Sequence, residues 1–257
     1  MSNILPPSGQ KGDQQGEWVS TSKVRRIRRL GFLAFTLTMV VLLVKLGMWQ
    51  MSRAAEKETL LDQLSARQQQ VFTQVSSLPQ DAKGFAVDLS GTFDVNRSVL
   101  LDNQIHQGRV GYRWMMPLLT DDRWLLIDLG WIAAPPRRDT LPELPKILGR
   151  YRVEGIADFP SQRVVLATDN AAPSWPWRVQ LIDIEAISKA SGYPLQPWVI
   201  RVETITSQSG ETVDWNALPV WEPVVMQPEK HYGYAMQWFG LALVVALGFV
   251  IWWRKGR

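Results

Sequence analysis

The chain has 257 residues, 28 Lys or Arg against 24 Asp or Glu, and no cysteine. This length suits one medium-sized domain with two membrane helices, and is too short for two large soluble domains beside such helices. The lack of cysteine excludes disulfide exchange, thiolate zinc sites, iron–sulfur clusters, cysteine-ligated copper, covalent c-type haem and cysteine nucleophiles.

Residues 1–29 precede the first apolar run and are predicted to form a cytoplasmic tail. Its first part, to about residue 20, is rich in Gln, Gly, Ser and Pro and is expected to be disordered. The tail is too long and hydrophilic for the basic region of a cleaved signal peptide, and Asp13 and Glu17 argue against a mitochondrial transit peptide. We therefore interpret the first apolar run as an uncleaved anchor in a bacterial inner membrane.

Two runs, 30–49 and 231–253, are predicted to be transmembrane helices. About 20 apolar residues are enough to cross a hydrocarbon core of about 30 Å. The first run contains one charge, Lys45, and the second none. Aromatic residues bracket the second run, as is typical of membrane interfaces: Tyr232, Tyr234 and Trp238 at one end, Trp252 and Trp253 at the other.

Cations lie outside both runs: Lys23, Arg25, Arg26, Arg28 and Arg29 before the first, and Arg254, Lys255 and Arg257 in the basic tail 254–257. Because Lys and Arg are enriched in the cytoplasmic segments of membrane proteins, both termini are predicted to be cytoplasmic. Residues 50–230 hold 18 Lys or Arg against 22 Asp or Glu, a net charge of −4. The middle domain is therefore expected in the periplasm, and no nucleic-acid partner is expected.

Apolar residues at helical spacing continue from the first run to about Gln70 and predict a helical stalk over 50–70. Within it, Arg53 is close to the spacing at which its side chain meets Glu56 or Lys57.

Residues 71–230 are predicted to form an α+β domain. Short β-type runs occupy 86–93, 98–101, 110–119, 123–132, 146–159 and 198–206, and we expect them to pair antiparallel. One short helix is predicted near 183–191, with Asp183 as N-cap and Gly192 as its stop. The fold class is thus a membrane protein whose two transmembrane α-helices flank an extracytoplasmic α+β or small barrel-like domain dominated by antiparallel β-sheet.

Hydrolase chemistry of the Ser-His-Asp kind has little support. Only His106 lies well inside the middle domain, in a polar run ending at Gly108 that predicts a hairpin loop with a solvated imidazole. Asp121 and Asp122 are interpreted as solvated turn residues. Several of the thirteen tryptophans, including Trp175, Trp177 and Trp198, could form ridges that contact a partner or could fill the core.

His231 stands at the outer end of the second apolar run. This position suits a ligand of a metal or haem at the membrane surface. An imidazole there can equally favour the headgroup layer, as Tyr232 and Trp238 do. Both interpretations are open from position alone.

The string Leu46-Gly47-Met48-Trp49-Gln50-Met51-Ser52-Arg53, followed by Lys57, resembles the Leu-Gly-x-Trp-Gln-x-x-Arg signature of the surfeit locus protein 1 family, assembly factors of cytochrome c oxidase. The resemblance extends over roughly residues 30–253. Further matching residues follow in order: Gly91-Thr92-Phe93, Leu101-Asp102-Asn103, Gly108, Gly111, Met116-Pro117-Leu118, Gly130-Trp131-Ile132, Pro228, His231, Tyr234, Ala235, Gln237, Trp238 and Phe239. The chain departs from the family's usual Asn-Arg-Gly-Trp at Asp128-Leu129-Gly130-Trp131.

The resemblance implies a non-enzymatic membrane factor that acts early in maturation of the oxidase core subunit, in some bacterial members by binding haem a. His231 then corresponds to the candidate iron ligand, and Arg53, Lys57, Tyr234, Gln237 and Trp238 complete the expected cofactor site. Arg53 and Lys57 would pair with propionates, or simply snorkel. Gly47 and Gly240 would let the helices approach closely.

The expected partners are the nascent oxidase core subunit, membrane lipid and, further, a haem a synthase. A second hypothesis is a haem-free docking platform that holds an oxidase intermediate. A third, a membrane-anchored periplasmic enzyme, is disfavoured by the shortage of histidine and the lack of cysteine.

Overall fold

A computed structural model describes residues 14–137, 139–160, 174–221 and 223–255. The chain divides into two compact units, Met1–Thr59 with Val224–Arg257, and Leu60–Pro223. The elements in chain order are α1 (Gln14–Gln68), β1 (Val71–Phe72), β2 (Ala86–Phe93), β3 (Val99–His106), β4 (Arg109–Thr120), β5 (Trp124–Ala133), β6 (Arg150–Asp158), β7 (Trp177–Val179), α2 (Ile184–Ser191), β8 (Leu195–Ser207) and α3 (Pro228–Lys255), with a short 3-10 turn at Val75–Ser77. Two apolar helices thus flank a sheet-rich domain in the chain.

The first unit is built from α3 and the part of α1 up to Thr59. Both helices are long and apolar enough to cross a membrane. Their outward apolar side chains are exposed, including Phe35 at 61%, Leu37 at 62% and Val244 at 65%. Such continuous apolar exposure suits a lipid environment, since soluble proteins rarely expose large apolar patches. The layout fits a membrane-anchored protein.

The two helices of this unit pack antiparallel. Phe32 of α1 lies 4.5 Å, between ring centroids, from Trp252 near the end of α3, whereas Gln50 contacts His231 near its start. Less exposed side chains recur at alternating intervals of four and three residues, the repeat of a coiled-coil seam. They are Thr36, Val40, Leu43, Gly47, Gln50, Ala54 and Lys57 on α1, and Pro228, His231, Ala235, Trp238, Ala242, Val245 and Phe249 on α3.

Helix α1 begins earlier than the composition of the tail suggested. It includes Gln14, so the expectation of disorder to about residue 20 is wrong from that position onward. Residues 1–13 lie outside the described part of the chain, as do residues 256 and 257 of the basic tail. At its other end α1 runs without interruption to Gln68, as the helical spacing to about Gln70 predicts.

The second unit contains one eight-stranded sheet in the order β1-β2-β6-β8-β5-β4-β3-β7. β2 pairs with β6 and, through Gly91–Phe93, also with the end of β4. This second pairing closes the circuit β2-β6-β8-β5-β4, so five strands form a small barrel. Its interior holds the main core, in which Leu89, Trp114, Leu118, Leu125, Ile127 and Ile200 are almost completely buried.

The six predicted strands are present, but they do not all pair antiparallel. β5 pairs with β8, β1 with β2 and β3 with β7 in parallel. β1 and β7 were not predicted, because strands of two or three residues have too few positions to show an alternation. The predicted short helix is confirmed: the Asp183 carboxylate accepts the Ala186 N–H at 3.0 Å, and Gly192 ends α2 at φ +77°.

A charged cluster is buried at one side of the barrel. The Asp128 side chain is fully buried and accepts hydrogen bonds from Arg113 Nε at 2.8 Å and Arg201 Nη1 at 2.8 Å. Arg201 Nε also donates to Asp158 at 2.7 Å. At the departure from the family pattern, Leu129 is fully buried, where it contributes to the core. The cluster joins the neighbouring strands β4 and β5 to β6 and β8, which follow later in the chain.

Candidate functional site

His231 and Gln50 face each other across the helix pair of the first unit. His231 Nδ1 lies 2.8 Å from Gln50 Oε1, and the imidazole is half-buried. A carbonyl oxygen of an amide accepts but cannot donate, so Nδ1 carries the proton and, in the neutral ring, Nε2 keeps its lone pair. The contact therefore fixes the tautomer that presents Nε2 to a ligand.

Close packing between α1 and α3 supports this contact. A Cβ added to Gly47 would lie 2.5 Å from the Phe239 ring, so the glycine makes room for that ring. Ala54 is completely buried and Ala235 nearly so. Small residues allow two membrane helices to approach closely. The expectation for Gly47 is confirmed, whereas nothing lies within 4 Å of a Cβ added to Gly240.

The two predicted cations of the site differ in their surroundings. Arg53 is exposed and donates from Nη1 to Glu56 Oε2 at 2.7 Å, one of the pairings its spacing predicts. Its guanidinium also lies 5.8 Å from the centre of the Trp49 ring. Lys57 is half-buried on the seam and has no ion pair among the residues that the structure describes. Lys57 is thus a cation with no acidic partner of its own in that part of the chain.

The three other predicted site residues all belong to α3. Trp238 is half-buried two turns after His231 on the same face, and Tyr234 follows His231 by three residues but is 45% exposed. With about 3.6 residues per turn, these three side chains lie on adjoining parts of one helix face. Gln237 is exposed and lies further around the helix. The structure brings His231, Tyr234 and Trp238 together and leaves Gln237 apart.

Two residues at the site were missed as functional candidates. Gln50 was noted in the sequence only as part of the resemblance, yet it is the partner of the imidazole. Glu58 accepts a hydrogen bond from the Tyr232 hydroxyl at 3.0 Å. The seam spacing from Gly47 through Gln50 to Ala54 could have placed Gln50 on the buried face, but no local pattern identifies its partner on a helix 181 positions away.

The catalytic candidates weighed in the second unit, His106 and the pair Asp121 and Asp122, lie in different surroundings in the described part of the chain. His106 is the last residue of β3 and not a loop residue; the turn is Gln107-Gly108, both with positive φ. Its imidazole is half-buried, 5.5 Å from the Trp131 ring, and is therefore not simply solvated.

Asp121 and Asp122 make structural contacts in the turn before β5. Asp121 pairs with Arg150 at 2.7 Å. Burial raises the pKa of Asp122, but hydrogen bonds from Thr120 and Ser76 outweigh this effect and hold it below its ordinary value. Asp122 therefore stays charged and ties this turn to the segment around Ser76.

The tryptophans of the second unit mostly contribute to packing. Trp114, Trp131, Trp198 and Trp215 are buried, and Trp124, Trp175, Trp177 and Trp221 are half-buried. Trp175 and Trp177 pack against the smaller core cluster instead of forming an exposed ridge. The interpretation as core is confirmed for the buried four.

No group of three or more His, Asp or Glu side chains in the described ranges is arranged to hold a bare metal ion. The helix pair instead offers a single imidazole, an amide that orients it, an aromatic face and the cation of Lys57.

A sequence model of the SURF1 family matches residues 37–243 of this chain. The SURF1-like protein of Rickettsia conorii is 23% identical over 235 residues, which cover 88% of this chain and 90% of that protein. The SURF1-like protein of Rickettsia prowazekii is 24% identical over 231 residues, covering 84% of this chain and 87% of that protein. The chain therefore belongs to the SURF1 family, an assembly-factor family generally associated with cytochrome c oxidase and not a known class of enzymes.

Proposed function

We propose that this protein binds haem a between its two apolar helices and assists its insertion into the nascent core subunit of cytochrome c oxidase. The observation that carries this proposal is the 2.8 Å contact between His231 Nδ1 and Gln50 Oε1. Histidines that ligate metals usually donate their other ring N–H to an oxygen acceptor, which orients the ring and raises its basicity. Gln50 supplies that acceptor, and Nε2 of His231 would ligate the iron.

The surroundings of His231 fit the remainder of haem a. When bound, haem a supplies an iron centre within a macrocycle that has an apolar tail and two carboxylates. Tyr234 and Trp238 would contact the ring, while the exposed apolar sides of both helices suit the tail. Lys57 would pair with a propionate, and Arg53 could join only by sharing its guanidinium with Glu56. Gln237 would at most contact the edge of the site.

The proposed location is a bacterial inner membrane. Both termini would be cytoplasmic, because cations flank the apolar segments at the chain ends, and residues 60–223 would then lie in the periplasm. The partners in this proposal are the oxidase core subunit, which receives the haem, membrane lipid, and a haem a synthase as the source of haem. No enzymatic turnover by this chain is proposed.

The test is to purify the full chain in detergent from cells that synthesise haem a, and to identify its haem by absorption spectrum and extraction. His231→Ala should fold and insert but contain no haem a. Glu229→Ala, which truncates an exposed polar residue two positions before His231 on the same helix, is the matched control and should keep haem. Equal haem content in the two variants would exclude His231 as a required ligand.

The alternative is a haem-free docking platform. One observation favours it: Ile105 and Val110, cross-strand partners next to the β3–β4 turn, are 69% and 47% exposed. An exposed apolar pair at a hairpin tip is a plausible contact for another subunit. This alternative predicts that an oxidase subunit co-purifies with haem-free protein. The subunit should still co-purify with His231→Ala but should be lost with Ile105→Asp.

A further inference from the structure

A second site lies in the β-rich unit, away from the helix pair in sequence and independent of the haem proposal. A cavity of about 280 Å³ is lined by the charged or imidazole side chains of Lys83, His106, Arg113, Asp158 and Arg201, with an apolar wall that includes Val220 and Trp221. The segment 50–230 has a net charge of −4, so a local excess of cations in this segment is unexpected.

Two buried carboxylates hold the arginines in place. Asp128 accepts from Arg113 Nε and Arg201 Nη1, both at 2.8 Å, and from the Gly130 N–H at 3.1 Å. Asp158 accepts from Arg201 Nε at 2.7 Å and from the Phe159 N–H at 2.9 Å. The two guanidinium groups are therefore fixed before any ligand arrives, which lowers the entropic cost of binding one.

Donors remain after these contacts are made. Within the described ranges, Nη2 of Arg113 and Nη2 of Arg201 have no hydrogen-bond partner, and neither is sealed from solvent. Lys83 Nζ is 3.9 Å from Asp158 Oδ1, too far for a hydrogen bond, and its side chain is about half exposed. Among the described residues around the cavity, three cations stand against two carboxylates, which leaves one positive charge in this set.

We propose that this cavity binds a phosphate group. Lys83, His106, Arg113 and Arg201 come from four different segments and can donate to several oxygens of one ligand. A phosphate offers more acceptor oxygens and more charge than a carboxylate, and guanidinium groups suit its geometry. A water molecule takes about 30 Å³ in the liquid, so the cavity has room for a phosphate and part of an ester substituent. The phosphate comes either from solution or from a phospholipid headgroup.

Inorganic phosphate is the probe that tests the site. Delipidated full-length protein in detergent is titrated calorimetrically with sodium phosphate, against sodium chloride of equal ionic strength. The unaltered protein should bind phosphate, and Lys83→Gln should weaken it about tenfold, the loss of one charge-assisted contact. Lys83 Nζ makes no hydrogen bond to any described residue, so its replacement leaves the arginine cluster intact. Lys146→Gln, an exposed lysine outside the cavity, is the matched control and should not change the affinity.

A second arm distinguishes the sources. The titration is repeated in nanodiscs of phosphatidylcholine with and without phosphatidic acid. Competition by phosphatidic acid would identify a lipid headgroup as the occupant, and unchanged phosphate affinity would identify a soluble phosphate. Absence of phosphate binding by the delipidated protein, or equal affinities in Lys83→Gln and Lys146→Gln, overturns the proposal.

Discussion

His231 Nδ1 and Gln50 Oε1 are 2.8 Å apart, although 181 positions separate the two residues in the chain. The contact joins the residue predicted as an iron ligand to one that the sequence identified only as part of a family signature. The contact orients the imidazole, and Nε2 has no hydrogen-bond partner among the described residues.

Replacing Gln50 tests this relationship directly. Gln50→Leu keeps the approximate side-chain volume but removes the acceptor, so haem affinity should fall by about 10- to 100-fold while some binding through His231 persists. Gln50→Glu retains an acceptor and should bind haem much more tightly than Gln50→Leu. Haem titration of the purified apoprotein measures both, and equal affinity of the two variants would show that the acceptor does not matter.

The close approach of the two helices should depend on Gly47 and not on Gly240. A leucine at Gly47 must displace the Phe239 ring, whereas a side chain at Gly240 meets open space. Overpacking of this kind costs about 1–3 kcal/mol. Gly47→Leu should therefore lower the thermal midpoint of the full chain in detergent by several degrees, and Gly240→Leu should leave it near the original value. The opposite ranking would contradict the packing described.

The buried carboxylate of Asp128 should be among the most important polar groups for stability of the β-rich unit. Asp128→Asn removes the charge that faces Arg113 and Arg201. Arg113 then has no carboxylate partner among the described residues, and Arg201 keeps only Asp158. Breaking a buried ion pair from one side costs about 3–5 kcal/mol. Asp139→Asn is the matched control, because its pair with Arg137 is exposed on both sides and should be worth at most about 1 kcal/mol. Unfolding followed by tryptophan fluorescence compares the two.

Asp94 should make the stability of the same unit dependent on pH. Burial raises its pKa, but hydrogen bonds from Tyr193 and Arg97 outweigh burial and hold the pKa below its ordinary value of 3.8. Because the folded-state pKa is the lower one, its contribution is fully present above the pKa of the unfolded chain and is lost as the pH falls through the folded-state pKa.

The variant Asp94→Asn should accordingly unfold more easily than the unaltered protein at pH 7, and this difference should shrink as the pH falls below about 4. Glu203→Gln, an exposed carboxyl with no ion pair in the described part of the chain, is the control and should show no such difference. Denaturant unfolding at several pH values provides the measurement. A difference that stays constant down to the lowest pH would contradict the role given to the Asp94 carboxylate.

Local patterns in the sequence determined much of the architecture. The apolar runs predicted both long helices, short β-type runs predicted six strands, and Asp183 with Gly192 predicted the ends of α2. These features were predictable because each depends on residues that are close to each other in the sequence. The ordered family motifs likewise identified the family, and they pointed to His231.

Only the tertiary structure decided which distant residues meet. The pairing of β2 with β4 closes the barrel, β5 lies parallel to β8, and Asp128 receives Arg113 and Arg201 from two other strands. The seam between the helices likewise selects Gln50 as the partner of His231 and places Gln237 on the exposed side. Periodicity reports which face of an element is buried, but contact partners depend on how whole faces pack, a property of the chain as a whole.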